Sequence, residues 1–511
     1  MRIADIRPEL PPLLRLAAPL VAAELGWMSM SVVDTSMVGR LPHAAIPMAA
    51  AALAQVIFNT FAFGIGGVLL GLDTLISQAF GAREIHAANR WLLHGLVLAL
   101  LLGLLLVGIF AFGPVILNHM PVDHTVLAQA IPALYGLNWG IVPLLLYFTL
   151  RRYLQAAHRA KPIAFALVSA NLINFIGDWI LIYGHSWRLF GHTINIPAYG
   201  VVGSAWATSF ARLYLMAVMI VAILLADRHH NYGLLAAVRS RTARRIELQH
   251  LSKLFRLGAP AGAQIFVEIA VFATVTALIA TLGPLPLAGH EVALQCASTT
   301  FMVPYAISSA TAVRVGHAIG RIRTGHASPQ APAAAGWSGI LLGAAFMLFA
   351  AVIFLTLPAP IARLFTPDRG VIAAAVPLLL VAAGFQFFDG IQITVTGALR
   401  GAGNTLAPFF THLLCYWVIG MPLGILLGFH AHLGAAGLWL GLLIALTGAA
   451  LALLTVWRRT TTQLLTAPAT YDLKSALSRT TRSECWSGSD CRRAKVSSSH
   501  FAGTFPPQQS R

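Results

Sequence analysis

Long apolar stretches separated by short polar segments run along almost the whole chain. A transmembrane helix needs about 20 apolar residues to cross some 30 Å of hydrocarbon. Twelve stretches are long enough, and they predict an all-α polytopic membrane protein with twelve transmembrane helices. They lie at residues 13–37, 50–76, 91–118, 127–150, 163–184, 199–226, 254–282, 291–315, 333–357, 371–398, 408–429 and 435–457.

Composition supports this class. Of the 511 residues, 58% are hydrophobic and only 10% are charged, and the mean hydropathy is +0.76. A soluble domain of this length could not cover its surface with so few polar residues. Residues 1–12 contain no apolar signal core or cleavage site, so we expect the first transmembrane helix to be retained.

The distribution of basic residues predicts the orientation. If both termini are cytoplasmic, the cytoplasmic segments and adjoining helix ends hold 29 Lys and Arg residues, and the opposite loops hold 4. The positive-inside rule therefore favours two cytoplasmic termini. The formal net charge of +17 is then mostly a consequence of topology, and we expect no nucleic-acid partner.

Short motifs recur in the second half of the chain at offsets near 240 residues. LAAP at 16–19 returns as LGAP at 257–260, and SQAFG at 77–81 returns as GHAIG at 316–320. Such an order predicts two parallel six-helix bundles with a substrate path between them. The predicted segments are a cytoplasmic N-terminus at 1–12, a bundle at 13–226, a basic cytoplasmic linker at 227–253, a second bundle at 254–457, and a disordered cytoplasmic tail at 458–511.

Among the carboxylates inside the predicted helices, five are candidates for a role in function. Each costs about 2.5–3.5 kcal/mol at a bilayer centre unless water, a proton or a cation compensates it. Acids retained at that cost indicate a pathway for positive charge. The five are Glu24, Asp34, Asp178, Glu268 and Asp389.

Three polar residues of the N-terminal half could form one cation site. Asp34 lies near the outer end of the first predicted helix, and Asn174 and Asp178 share one face of the fifth. Two carboxylates and an amide oxygen suit Na⁺, or they hold a proton if burial and mutual repulsion disfavour two charges. The alternative is that Asp34 and Asp178 face an aqueous vestibule.

The C-terminal half offers a second acidic pair. Glu268 and Asp389 lie among bulky apolar residues, where they either bind a cation or form hydrogen bonds between helices. Gln295 and Gln392 could contribute amide oxygens, or they could simply pack. Nearby aromatic rings could hold an organic cation by cation–π attraction, or could face lipid or pack. These are Phe266, Phe385, Phe387 and Phe388.

Three further charged residues have more local interpretations. Glu24 is expected to face a vestibule, and Asp73 is expected to cap a helix or pair with Arg83. Arg212 is expected to pair with a nearby acid, for which Asp178 is the candidate. Pro19, Pro260, Pro304 and Pro422 could bend their helices.

Three segments resemble a known family. SVVDTSMVGRL at 31–41, VPYAISSATAVRVGHAIG at 303–320 and GALRGAGNTLAP at 397–408 are similar to signature segments of the multidrug and toxic compound extrusion (MATE) transporters, especially the bacterial NorM-type branch. The resemblance extends from about residue 10 to 457. It implies export of cationic or amphiphilic drugs in exchange for Na⁺ or H⁺. It further implies a monomer in the bacterial cytoplasmic membrane, with no cofactor beyond the coupling ion.

The resemblance also bears on the acids. Asp34 and Asn174 match cation-site positions in the family's N-terminal half, and Glu268 and Asp389 match the acids of the C-terminal half, to which we assign Gln295 as well. Asp178 stands where NorM-type members often carry Asn, which leaves the choice between Na⁺ and H⁺ open.

Other functions are less consistent with the sequence. It contains no G-x-x-x-x-G-K-[ST] phosphate loop and no H-E-x-x-H motif, so we expect no enzyme and no ATP-driven pump. A lipid-linked oligosaccharide flippase of the same superfamily is the main alternative, and it should present Arg or Lys in its cavity to bind phosphate. A channel or receptor is a second alternative, which the duplication disfavours by analogy.

Overall fold

A computed structural model describes residues 6–118, 123–189, 192–230, 232–239 and 246–466. The N-terminal half is formed by six helical stretches, two of which consist of more than one helix. In chain order they are α1 (Leu10–Val38), α2 (Ala45–Gly66) continued by a 3₁₀ turn (Gly67–Leu70) and α3 (Gly71–Gly81), α4 (Ile85–Leu117), α5 (His124–Asn138) followed by α6 (Ile141–Ala156), α7 (Lys161–Tyr183) and α8 (Val201–His230).

The C-terminal half repeats this arrangement after a short linker helix, α9 (Leu234–Arg239). Two of its stretches are accompanied by short or irregular helices. They are α10 (Leu248–Ala280), α11 (Pro284–Arg323), α12 (Ala331–Thr356) with the short α13 (Pro358–Phe365), α14 (Arg369–Gly401), α15 (Leu406–His412) with α16 (Met421–Ile425), and α17 (Gly434–Thr466).

The twelve predicted stretches all coincide with helices, but fewer qualify as membrane spans by length and apolarity. Within the described residues ten helices do, or eleven if the bent pair α5–α6 is one span. The predicted span 291–315 lies inside the 40-residue α11, which is not among them. Its many Ser, Thr and other polar residues make it less apolar than its neighbours.

The all-α fold class is confirmed, and two local features within it were not predicted. A two-stranded antiparallel hairpin, β1 (His185–Leu189) and β2 (His192–Ile196), connects α7 to α8. The predicted span 127–150 is broken between α5 and α6 by a bend of 44°. Ser209 donates to the Gly136 carbonyl at 2.7 Å and Arg212 contacts the Leu137 carbonyl at 3.5 Å. These side chains bind carbonyls at the break, where helical hydrogen bonds are interrupted.

The four prolines lie in different helical surroundings. Pro19, Pro260 and Pro304 lie within continuous helices. Pro422 lies in α16, which is flanked by π-helical segments at Leu413–Gly420 and Leu426–His430. Wider π turns accommodate backbone groups that a proline leaves without their usual partner.

The two halves share a hydrophobic core on one side of the bundle. We call this the N-terminal side, because α1 begins there and the loops 82–84, 157–160 and 402–405 lie there. The core of the first half continues into α10 and α11 through Leu254, Ala306, Ile307, Ala310 and Val313. A separate cluster fills the opposite part of the second half. The shared core therefore joins the halves at their N-terminal side.

Glycines permit this close approach. A Cβ at Gly258 of α10 would lie 1.7 Å from the Val68 carbonyl oxygen, and one at Gly81 of α3 would lie 2.3 Å from the His317 carbonyl oxygen. Neither position leaves room for a side chain. Small residues at helix contacts let backbones approach and pack tightly in membranes.

The last helix continues beyond the predicted end of the second bundle at 457. α17 reaches Thr466, with Trp457 fully buried and Thr461 buried. The predicted disorder of the tail concerns residues 467–511, which lie outside the described residues. The predicted start of the tail at 458 falls inside α17.

Removal of the tail is expected to leave transport intact. Residues 467–511 carry seven basic and three acidic residues and no apolar run able to dock in a helical bundle. Truncation after Thr466, which preserves α17, should leave the drug range and export rate per molecule unchanged. Surface abundance and efflux can be measured together. A truncated protein present at normal abundance but inactive would show that the tail takes part in transport.

Candidate functional site

The structure brings together the three polar residues predicted for the N-terminal half. Asn174 on α7 donates through Nδ2 to Asp34 Oδ1 on α1 and, at 3.0 Å, to Asp178 Oδ2 one turn along its own helix. Thr208 on α8 donates to Asp34 Oδ2 at 3.2 Å. All four residues are buried. Three helices thus converge on a carboxylate pair, which we call the N-half cluster (Asp34, Asn174, Asp178 and Thr208).

The orientation of the Asn174 amide differs from the predicted one. Its nitrogen, and not its oxygen, points to the carboxylates. Asn174 Oδ1 and Asp178 Oδ1 are buried without a hydrogen-bond partner among the described residues. Buried polar atoms are normally satisfied, so these two oxygens could coordinate a cation, and the Asp178 carboxylate could alternatively hold a proton. Thr208 was missed in the sequence because one Thr in a helix carries no distinguishing signal.

If the residues of the N-half cluster form one site, the effects of their mutations should not be additive. Asp34→Asn and Asp178→Asn should each weaken the coupling of ion and drug, because each removes one charge from a common site. The double variant should lose little more than the worse single variant, since residues with a shared partner do not act independently. Ion-driven efflux rates of the three variants measure this. Additive losses would indicate two separate vestibule residues.

The C-terminal acids meet at one amide. Gln392 Nε2 on α14 lies 3.4 Å from Glu268 Oε1 on α10 and 3.5 Å from Asp389 Oδ1, one turn earlier on α14. Asp389 is buried and Glu268 is partly buried. Neither carboxylate forms a salt bridge within the described part of the chain. We call Glu268, Asp389 and Gln392 the C-half cluster.

A histidine that sequence reasoning missed orients the bridging amide. His412 Nε2 on α15 lies 3.0 Å from Gln392 Oε1, and its Nδ1 lies 2.7 Å from the Pro408 carbonyl oxygen. These contacts hold the Gln392 amide between His412 and the two acids. Gln295 is partly buried on α11, and no hydrogen bond joins its side chain to either acid in the described structure.

The aromatic residues do not form a common cage. Phe385 is buried in the second half, with ring-centroid distances of 6.1 Å to Phe272 and 6.0 Å to Trp439. Phe266 packs across the two halves, because a Cβ at Gly64 would lie 3.1 Å from its ring. Phe387 and Phe388 contact each other edge to face. Packing is therefore the role of Phe385, whereas Phe266, which contacts Gly64, is 43% exposed.

Glu24 does not face a vestibule. It forms a buried ion pair with Arg151 of α6 inside the N-terminal half. The sequence suggested no partner because 127 residues separate the two. This pair compensates one of the five acids with a basic side chain.

Asp73 pairs with neither a helix end nor Arg83. Its Oδ2 lies 3.4 Å from Arg152 Nη1 on α6 and 3.1 Å from Arg400 Nε on α14. All three side chains are buried. Since α3 and α6 belong to the first half and α14 to the second, this triad links the halves. It lies at their N-terminal side, where Gln78 also donates to the Gly401 carbonyl at 3.2 Å.

Arg212 forms no ion pair with Asp178. Its guanidinium carbon is 4.1 Å from the centroid of the Phe58 ring, and Arg212 lies one turn from Thr208, the donor to Asp34, on the same face of α8. No carboxylate of the described residues lies within 4.0 Å of it. The predicted pairing with Asp178 is therefore wrong.

Comparison with known proteins identifies the family of this chain. The family profile described as MatE matches twice, at residues 19–180 and 260–426. The multidrug resistance protein NorM of Vibrio vulnificus strain YJ016 is 31% identical over 86% of this chain and 92% of its own length. The multidrug resistance protein PmpM of Pseudomonas aeruginosa is 33% identical over 88% of this chain and 91% of its own length.

A solved structure shares the fold. The eukaryotic MATE transporter AtDTX14 superposes with a TM-score of 0.76 at 20% identity, over 90% of this chain and 99% of that one. The two profile matches agree with the internal repeat, and the relatives span both halves. The chain belongs to the MatE family, the multidrug and toxic compound extrusion transporters, and to its NorM-type branch.

Proposed function

We propose that this protein is a secondary active multidrug exporter of the bacterial cytoplasmic membrane, which expels cationic or amphiphilic compounds in exchange for Na⁺ or H⁺. One observation carries the proposal: the C-half cluster contains two acids without a salt-bridge partner in the described structure. Such a pair needs positive charge to be stable at membrane depth. A drug cation and a coupling cation can supply it alternately.

The contacts between the halves are consistent with alternating access. The triad and the glycine contacts close the N-terminal side. The distribution of basic residues predicts that this side is cytoplasmic. Exchange at a site between two halves requires that this closure break and reform. The relatives named multidrug resistance proteins support the same substrate class.

The flippase alternative receives less support. Four arginines are buried among the described residues, and three of them pair with acids: Arg151 with Glu24, and Arg152 and Arg400 with Asp73. Only Arg212 forms no salt bridge there. A phosphate carried through the interior would need basic groups that are available to it.

Accumulation assays in cells test the proposal. A bacterial strain lacking its own exporters should accumulate less ethidium when it expresses this protein, and an ionophore that collapses the coupling gradient should abolish the difference. Equal accumulation with and without the protein, at confirmed membrane abundance, would contradict export. Stimulated movement of lipid-linked oligosaccharide in vesicles would favour the flippase.

A further inference from the structure

Arg212 is a buried cation without a salt-bridge partner among the described residues. Its side chain lies in α8, about 16 Å along the helix axis from Val201, and is 5% exposed. Its Nη1 lies 3.5 Å from the Leu137 carbonyl oxygen, and its Nε has no hydrogen-bond partner within the described residues. An arginine at membrane depth without a paired acid is costly unless charge nearby compensates it.

That compensating charge is the N-half cluster. Thr208, which donates to Asp34 at 3.2 Å, precedes Arg212 by four residues on the same helix. Residues four apart lie on one face, one turn from each other. Arg212 therefore extends from the α8 face that carries Thr208, one turn from the donor to Asp34, and its guanidinium lies beyond ion-pair distance of both carboxylates.

The charges of the two clusters then differ. With every group ionised, Asp34, Asp178 and Arg212 sum to one negative charge. Glu268 and Asp389 sum to two, because no basic side chain pairs with either in the described structure. A poorly solvated cluster is most stable when it is neutral.

We propose that Arg212 is a fixed internal counter-cation that limits the N-half cluster to a single monovalent coupling cation. The inference rests on the proposed function, since this cation is the one that drives exchange. Arg212 contacts no drug in this account. It acts as a positioning and selectivity residue, because its fixed charge decides how many mobile charges the two carboxylates accept.

The test counts cations bound to purified protein in which Glu268→Gln and Asp389→Asn silence the C-half cluster. Binding of ²²Na⁺ and proton uptake are measured without drug. The protein with only these two substitutions should bind about one positive charge in the N-half cluster. Adding Arg212→Gln should raise that number to about two, since a buried cluster is most stable when its net charge is zero. Arg212→Lys, the matched control that keeps the charge, should take up one.

A second pair of variants avoids dependence on the folding of Arg212→Gln alone. Asp178→Asn leaves Asp34 and Arg212 as a neutral pair, so it should bind no cation. Adding Arg212→Gln to it should restore binding of one. A simple packing role for Arg212 against Phe58 predicts no such restoration.

The outcomes separate the inference from the proposed function. If cations bind but their number does not follow the Arg212 charge, the inference is wrong and the exchange mechanism stands. If the N-half cluster binds no cation in any variant, both the inference and the part of the proposed function assigned to this cluster are wrong.

Discussion

Glu268→Gln and Asp389→Asn are each expected to abolish drug export while membrane abundance and folding stay near normal. Both acids approach Gln392 from one side, and neither has a salt bridge within the described residues. Removing one charged partner of a desolvated cation costs about 2–5 kcal/mol. Cation affinity should then fall by more than about 30-fold, which is enough to stop exchange at ordinary ion concentrations.

Glu291→Gln is the matched control for this prediction. Glu291 is also an acid of the second half, but it is exposed on α11 and forms no salt bridge in the described structure. The same chemical change there should leave resistance to ethidium unchanged. Wild-type resistance in Glu268→Gln or Asp389→Asn, at equal membrane abundance, would show that the substituted acid is not part of the site.

Asp73→Asn is expected to have the second-largest effect, through the closure between the halves. The substitution leaves Arg152 and Arg400 buried without an anionic partner. Breaking a buried ion pair from one side typically costs about 3–5 kcal/mol. Part of that loss should appear as opening of the N-terminal side, with reduced export as a result.

Spin labels can measure this opening. Glu84 after α3 and Thr324 after α11 are exposed on loops of opposite halves at the N-terminal side. In a cysteine-free background, their distance distribution should gain a longer component in Asp73→Asn. An unchanged distribution together with normal export would show that the triad does not hold the halves together.

Glu24→Gln is the control for the loss of stability that follows from breaking a buried ion pair. The Glu24–Arg151 pair is as deeply buried as the triad, but it lies entirely within the N-terminal half. Its loss should lower the melting temperature without lengthening the distance between the two halves. The pair of variants thus separates general destabilisation from opening.

The sequence predicted most of the helices and the repeat because both depend on local patterns. Apolar runs and recurring motifs can be recognised in the sequence without knowledge of contacts. The i, i+4 spacing also placed Asn174 beside Asp178 correctly. The bend between α5 and α6 was not predictable. It is accompanied by contacts from Ser209 and Arg212 on another helix.

Long-range pairing explains the remaining differences. Glu24 and Arg151, or Asp73 and Arg400, are far apart in sequence and meet only in the folded bundle. The same holds for His412 and Gln392, which are 20 residues apart and meet beside the acidic pair. Residue types alone indicated acids that need compensation, but could not tell which received an arginine and which remained open to a cation.

Transport by the purified protein in liposomes tests exchange most directly. Proteoliposomes loaded with ethidium are given an imposed Na⁺ gradient, an imposed proton gradient, or none, and ethidium and the ion are followed simultaneously. If drug and ion exchange at the acidic pair, ethidium should move against its own gradient only while one ion moves in the opposite direction. Both movements should stop in Glu268→Gln. Ethidium movement that is equally fast without any ion gradient, or unaffected by that substitution, would contradict exchange at this pair.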